Sequence, residues 1–173
     1  YLDSGPRIHG AERISKPSRR IYMKADDIRM YRSGFGNSFI SKDHKKQAES
    51  LFSAVGIFSW LNSEAQIDDI IALSGSGPAY FFYFIELMQN TAIQMGLSPE
   101  ISKQLAIQTA YGAAKLALES PESVETLRKR VTSKGGTTEA ALNIFQNGLP
   151  DLVQKSMEAA RDQAKKIKEA INK

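Results

Sequence analysis

Hydrophobic positions divide the chain into an irregular opening and a long helical remainder. Residues 1–38 carry Gly5, Pro6, Gly10, Pro17, Gly34 and Gly36 among many charges, with weak periodicity, and read as a short irregular leader. From Ser41 the pattern changes. Ala48, Leu51, Phe52 and Val55 recur at helical spacing behind a Ser41-x-x-His44 start, and Gly56 stands where a glycine ends a helix. Ile57-Phe58-Ser59-Trp60-Leu61 is β-rich and predicts one short strand. Ile67, Ile70 and Ile71 predict a short helix from Glu64 to Leu73.

A glycine-rich turn, Leu73-Ser74-Gly75-Ser76-Gly77-Pro78-Ala79-Tyr80, then opens a second helix, with Pro78 at a natural first helical position. From Ala79 to Met95 this helix is apolar nearly all round, so most of its sides must be buried. Glu86, Gln89 and Asn90 interrupt it, and at roughly 1.5 Å per residue it is too short to cross a bilayer comfortably. The expectation is a central bundle helix shared between subunits, with no membrane partner. Gly96 closes it.

Ser98-Pro99-Glu100 starts the next helix with a cap, a proline and an acid. It reaches about Leu118 and packs through Leu105, Ala106, Thr109, Ala113, Leu116 and Ala117. Ser120-Pro121-Glu122 repeats the start signal before a short helix, Ser123 to about Lys129. After Gly135-Gly136 come a helix from Thr138 to about Gln146, a Gly148 stop and a last helix from Leu149 to about Ile171. Short loops suit antiparallel neighbours. The apolar excess points to a homodimer, open to higher assembly.

Composition narrows the chemistry. The 173 residues are 42% hydrophobic and 24% charged, as in a soluble globular protein. There is no cysteine, and His9 and His44 stand far apart without metal-ligand companions, so no metal site is expected. The net charge of +4 gathers in residues 1–32 and in the last helix, where lysines alternate with Glu158, Asp162 and Glu169 as on a solvated face. Without an aromatic platform this charge does not predict nucleic-acid binding. The opening residues lack the apolar core of a secretory signal, so the expected address is cytoplasmic.

One stretch carries the sharpest chemistry. Ser133-Lys134-Gly135-Gly136-Thr137-Thr138 places two glycines and two hydroxyls before an amphipathic run. Glycine lets N–H groups turn outward where a Cβ would clash, and threonine can cap a helix. Free N–H groups at a helix start beside hydroxyls suit a carboxylate. An ordinary loop with a threonine cap is the plainer alternative.

Ala72-Leu73-Ser74-Gly75-Ser76-Gly77-Pro78-Ala79-Tyr80 and Val131-Thr132-Ser133-Lys134-Gly135-Gly136-Thr137-Thr138 together resemble the two hallmark motifs of pyrroline-5-carboxylate reductases. The connecting Gln108-Thr109-Ala110-Tyr111-Gly112-Ala113-Ala114-Lys115 is similar too, and the likeness runs from about Ile40 to the C-terminus. The resemblance implies a mainly α fold: a helical bundle interleaved with a second subunit, like the C-terminal domain of 6-phosphogluconate dehydrogenase. It implies reduction of 1-pyrroline-5-carboxylate to L-proline, the last step of proline biosynthesis, with hydride passing from NAD or NADP in reduced form to the C=N carbon. By the same resemblance Ser133, Gly135, Gly136, Thr137 and Thr138 hold the substrate, and Thr138 is the catalytic position near the imine nitrogen. Glu64 touches the substrate pocket or is simply a helix N-terminal acid. Ser76, Gly77, Pro78 and Ala79 lie against the nicotinamide.

The chain departs from that family in several ways. A cofactor-binding Rossmann domain needs strand, Gly-x-Gly-x-x-Gly and helix followed by further βα units, and nothing before Ile40 supplies them; Gly34-Phe35-Gly36 follows no predicted strand. The family's Met-Pro-Asn segment is missing, with Met30-Tyr31-Arg32 where a remnant would stand. Lys134 replaces a usual proline, and its ammonium either helps the carboxylate or faces water. The expected organisation is a leader or remnant at 1–38, a linking helix and strand at 39–61, and a helical dimerisation and substrate domain at 62–173. Such a chain is a fragment of a reductase, a naturally truncated product, or a partner for a separate cofactor-binding chain. As an isolated chain it is expected to dimerise without turning over NAD(P)H, and a non-catalytic dimerisation protein is the alternative function.

Overall fold

Strand β1 (Met30–Gly34), helix α1 (Lys42–Ser53) and strand β2 (Gly56–Trp60) follow one another along the chain. The strands pair in parallel, Met30 opposite Gly56 and Gly34 opposite Trp60. A parallel pair requires a crossover, and α1 provides it. The computed structural model describes residues 30–34, 41–53, 56–63 and 65–171. They belong to two compact units, Tyr1–Ile67 and Asp68–Lys173.

Two expectations change in the first unit. Met30–Gly34 lies in the stretch read as irregular, yet it is a strand. Its local sequence has no alternation; the ladder to β2 makes it one, a tertiary effect that propensity does not carry. Gly56, read as the end of α1, is instead the first residue of β2. Helix α1 stops at Ser53, and Ala54 and Val55 lie outside the described residues. Its start is as expected, the Ser41 hydroxyl accepting the His44 N–H at 3.2 Å. Phe58 and Trp60, two apart on β2, share one face. Phe52 of α1 stacks on Phe58 at 5.4 Å, and Trp60 meets Phe58 edge-on at 5.2 Å. The Lys45 ammonium lies 5.4 Å from the Trp60 ring centre, and the indole N–H donates to Glu49.

The second unit is helical: α2 (Gln66–Ile70, which spans the boundary), a π stretch (Ile71–Gly75), α3 (Gly77–Gln94), α4 (Pro99–Glu119), α5 (Val124–Arg130), α6 (Thr137–Gln146) and α7 (Leu149–Ile171). Gly96 takes φ +101° just past α3, in the left-handed region that ends helices. The Ser98 hydroxyl caps α4 by accepting the Ile101 N–H at 3.3 Å. Helix α5 is capped by Ser123, accepting the Thr126 N–H at 3.1 Å, while Ser120 only forms a local turn by accepting the Glu122 N–H.

The glycine-rich segment before α3 is not a turn. Helix α2 passes through the π stretch into α3, and Gln66–Gln94 forms one run of 29 residues. Expected to be too short to cross a bilayer, the helix is part of a run that by length and composition could cross one. Among the described residues, only 11% of its most apolar window is buried. Helix α3 packs on α4 and the π stretch, α7 packs on the π stretch, and α6 packs on α7. Among the described residues of this unit, the buried apolar side chains are Ala72, Ala106 and Ala164. Phe81, Phe82 and Tyr83 are 70%, 64% and 60% exposed, and Leu105 and Leu116, expected to pack, are also open to solvent.

The first unit holds the chain's single tryptophan. Phe58→Ala removes the ring between Phe52 and Trp60 and is expected to cost this unit about 2 kcal/mol. Denaturant unfolding followed by Trp60 fluorescence checks this; an unchanged midpoint would show the aromatic cluster to be incidental.

Candidate active site

Helix α5 ends by tying Thr132 back: its N–H donates to Lys129 C=O at 3.1 Å and its hydroxyl to Arg128 C=O at 2.7 Å. Ser133–Gly136 then forms a tight turn, closed by the Gly136 N–H on Ser133 C=O at 3.0 Å. Gly135, third in the turn, has φ +73°, a conformation that favours glycine. Gly136 is required for a different reason. A Cβ there would lie 2.5 Å from Ser133 Oγ and 3.1 Å from Ser133 C=O. The serine hydroxyl therefore leans over the glycine backbone.

Helix α6 starts at Thr137, one residue earlier than expected, and its cap is Gly136 without a side-chain bond. The threonine-cap alternative is thus set aside: Thr137 and Thr138 are the first two helical residues. Glu139 reaches back so that its carboxylate accepts the Gly135 N–H at 2.7 Å, a variant of the capping box. The first ladder bond joins the Ala140 N–H to Gly136 C=O. Helix geometry therefore leaves the N–H groups of Thr137, Thr138 and Glu139 without intrahelical acceptors. Three amides, the positive end of the helix dipole and the hydroxyls of Ser133, Thr137 and Thr138 make an arrangement suited to a carboxylate. Nearby, Lys129 and Arg130 pair with Glu125 and Glu122, each at 2.6 Å. Lys134 is exposed and has no ion pair among the described residues.

Ser76–Ala79 is built by the π stretch. The Ser76 N–H donates to Ile71 C=O at 2.8 Å, and Ser76 C=O accepts the Ala79 N–H at 3.1 Å. Pro78 sits in the first turn of α3, where its missing N–H removes no ladder bond. Gly77 is buried, yet a Cβ on it would meet nothing within 4 Å. Neither Gly75 nor Gly77 has positive φ, so neither glycine is demanded by a turn.

Among the described residues no hydrogen bond or ion pair joins Ser76–Ala79 to Ser133–Thr138. Phe84 of α3 and Phe145 of α6, at 6.0 Å between ring centres, link the helices that follow the two segments. Glu64 lies outside the described residues. Sequence reasoning passed over Glu139 and Tyr80. The capping-box spacing could have exposed the first; no local signal announces the second, whose hydroxyl bonds Ala72 C=O eight residues away.

A helical unit with an uncovered apolar face and an anion-suited helix start defines the class. The family described as "Pyrroline-5-carboxylate reductase dimerisation" matches residues 64–167, and the chain belongs to that family. It is similar to the pyrroline-5-carboxylate reductase of Pseudomonas aeruginosa, 46% identical over 138 residues covering 79% of this chain and 50% of that protein. It is also similar to pyrroline-5-carboxylate reductase 1 of Bacillus subtilis, 36% identical over 78% of this chain and 46% of the other. Among solved structures, a pyrroline-5-carboxylate reductase from Coxiella burnetii superposes with a TM-score of 0.75 at 47% identity, covering 79% of this chain and 51% of that one. A Plasmodium falciparum pyrroline carboxylate reductase with NADP bound gives 0.66 at 32% identity, covering 77% and 52%. The chain spans about half the length of these relatives.

The two glycines separate folding from binding. Gly135→Ala forces a side chain into φ +73° and is expected to cost about 1–2 kcal/mol in thermal denaturation. Gly136→Ala is expected to displace the flexible Ser133 side chain with a smaller loss of stability but a clear loss of carboxylate binding, read by calorimetric titration with L-proline. Equal stability losses in the two variants would contradict this division.

Proposed function

We propose that this chain provides the substrate-holding and dimerising part of a pyrroline-5-carboxylate reductase, an oxidoreductase of proline biosynthesis that reduces 1-pyrroline-5-carboxylate to L-proline with NADPH or NADH. The observation that carries the reading is the start of α6: three amides without intrahelical acceptors behind a left-handed Gly135. The names of the similar proteins favour this reaction over other uses of an anion site.

In this reading the substrate carboxylate accepts hydrogen bonds from the Thr137 and Thr138 amides and the Ser133 hydroxyl, within the frame set by Gly135 and Gly136. The half-buried Thr138 hydroxyl orients the imine nitrogen, which takes a proton as the ring carbon receives hydride. A neutral threonine is a weak acid, so its part is to orient and relay. Glu64 completes the pocket or caps its helix. The bound nicotinamide supplies the hydride. Ser76, Gly77, Pro78 and Ala79 fit one end of such a cofactor, an unobtrusive backbone surface with one hydroxyl. Among the described residues no glycine-rich phosphate turn fits the other end. The part of the described residues is therefore to position substrate and ring.

The exposed apolar surface of α3, α4 and α6 fits a second copy of this chain, and a homodimer in the cytoplasm is part of the proposal. The membrane alternative raised by the 29-residue run is less favoured. Asp68 and Asp69 stand in its first turn and Glu86 lies within it, and charges inside a bilayer are costly.

The chain is expected to be a dimer by light scattering without detergent and to bind L-proline. Thr138→Ala should lower that affinity about tenfold with the dimer intact. A dimer that never binds L-proline would favour the non-catalytic reading, and a chain soluble only in detergent would favour the membrane.

A further inference from the structure

The π stretch leaves one acceptor to be accounted for. In an unbroken α-helix the Ala72 C=O would take the Ser76 N–H. Here that N–H donates to Ile71 C=O at 2.8 Å instead. Gly77 is the next donor along the chain, and Pro78 after it has no N–H to give. Ala72 is 3% exposed, so bulk water does not serve its carbonyl. The acceptor is met by the Tyr80 hydroxyl, which donates to Ala72 C=O at 3.0 Å. The Ser74 hydroxyl acts similarly on Ile70 C=O at 3.1 Å. The Tyr80 bond closes an eight-residue span, and Ser76–Ala79 lies inside it.

We propose that Tyr80 is the positioning residue of this segment: its hydroxyl, rather than its ring, holds the π stretch and so sets the backbone of Ser76–Ala79. That the segment faces a nicotinamide rests on the reading proposed above; the hydroxyl's hold on it does not. Without the hydroxyl, Ala72 C=O loses that donor, the π stretch is held less firmly, and the bond from the Ser76 N–H to Ile71 C=O opens more often. A π stretch inside a helix is often placed where function needs such a local offset.

Tyr80→Phe keeps the ring and its packing while deleting the donor. The test is amide hydrogen exchange by NMR on the whole chain without ligand, alongside the unmodified protein. The Ser76 amide is expected to exchange about tenfold faster, the worth of a single hydrogen bond. Amides in the middle of α4, such as Ile107, should be unmoved. Unchanged exchange at Ser76, or acceleration spread equally into α4, overturns the proposal. Titration of NADPH into both proteins is read separately. Faster exchange at Ser76 with the same NADPH affinity upholds the role of Tyr80 and overturns the assignment of Ser76–Ala79 to the cofactor.

Discussion

A helix with aromatic residues on every side has to be enclosed on every side. Phe81, Phe82, Tyr83 and Phe84 are consecutive in α3. At about 100° per residue they sweep most of the helix circumference. Helix α4 packs against part of it, and Phe145 of α6 meets Phe84. Among the described residues, Phe81, Phe82 and Tyr83 stay more than half exposed. Burial of apolar area is the main stabilising term in folding, and three buried alanines contribute little of it. The second unit buries little apolar area within itself among the described residues. The family to which it belongs is described by dimerisation, in keeping with the need to enclose such a helix.

The start of the same helix has a second constraint. Pro78 cannot continue a helical ladder from below, and its ring crowds the carbonyl four residues earlier. The chain answers with a π stretch, which offsets the ladder before the proline arrives. Within and just after the offset, the Ser74 and Tyr80 hydroxyls donate to Ile70 and Ala72 C=O. A continuous helix with one controlled irregularity thus replaces what reads in sequence as a turn. The Ser133–Gly136 segment is a true turn, held by a positive φ at Gly135 and by the lack of a Cβ at Gly136.

Much of the helical architecture was legible because its signals are local. Ser98, Ser123 and Gly96 mark their helix ends through bonds or dihedral angles that reach only a few residues. The start of α6 was legible for the same reason, apart from the identity of its cap. What escaped depends on partners distant in sequence. Met30–Gly34 becomes a strand by pairing with residues 26 positions later, and Gly56 becomes a strand residue through the same ladder. Ser74-Gly75-Ser76-Gly77-Pro78 has the composition of a turn, and only the packing of α7 and α3 around it explains why the helix runs on.

The all-alanine core of the second unit has a consequence for how this domain tolerates change. Ala72, Ala106 and Ala164, with Ser102, are buried side chains of this unit, and each is already small. Truncation, the usual injury to a protein interior, has almost nothing to remove there. Added bulk does the harm, since a single methyl at a close helix crossing forces the backbones apart. Such a domain holds its inner contacts to the smallest side chains and keeps its large apolar residues on its outer faces, the reverse of the profile of a self-contained globule.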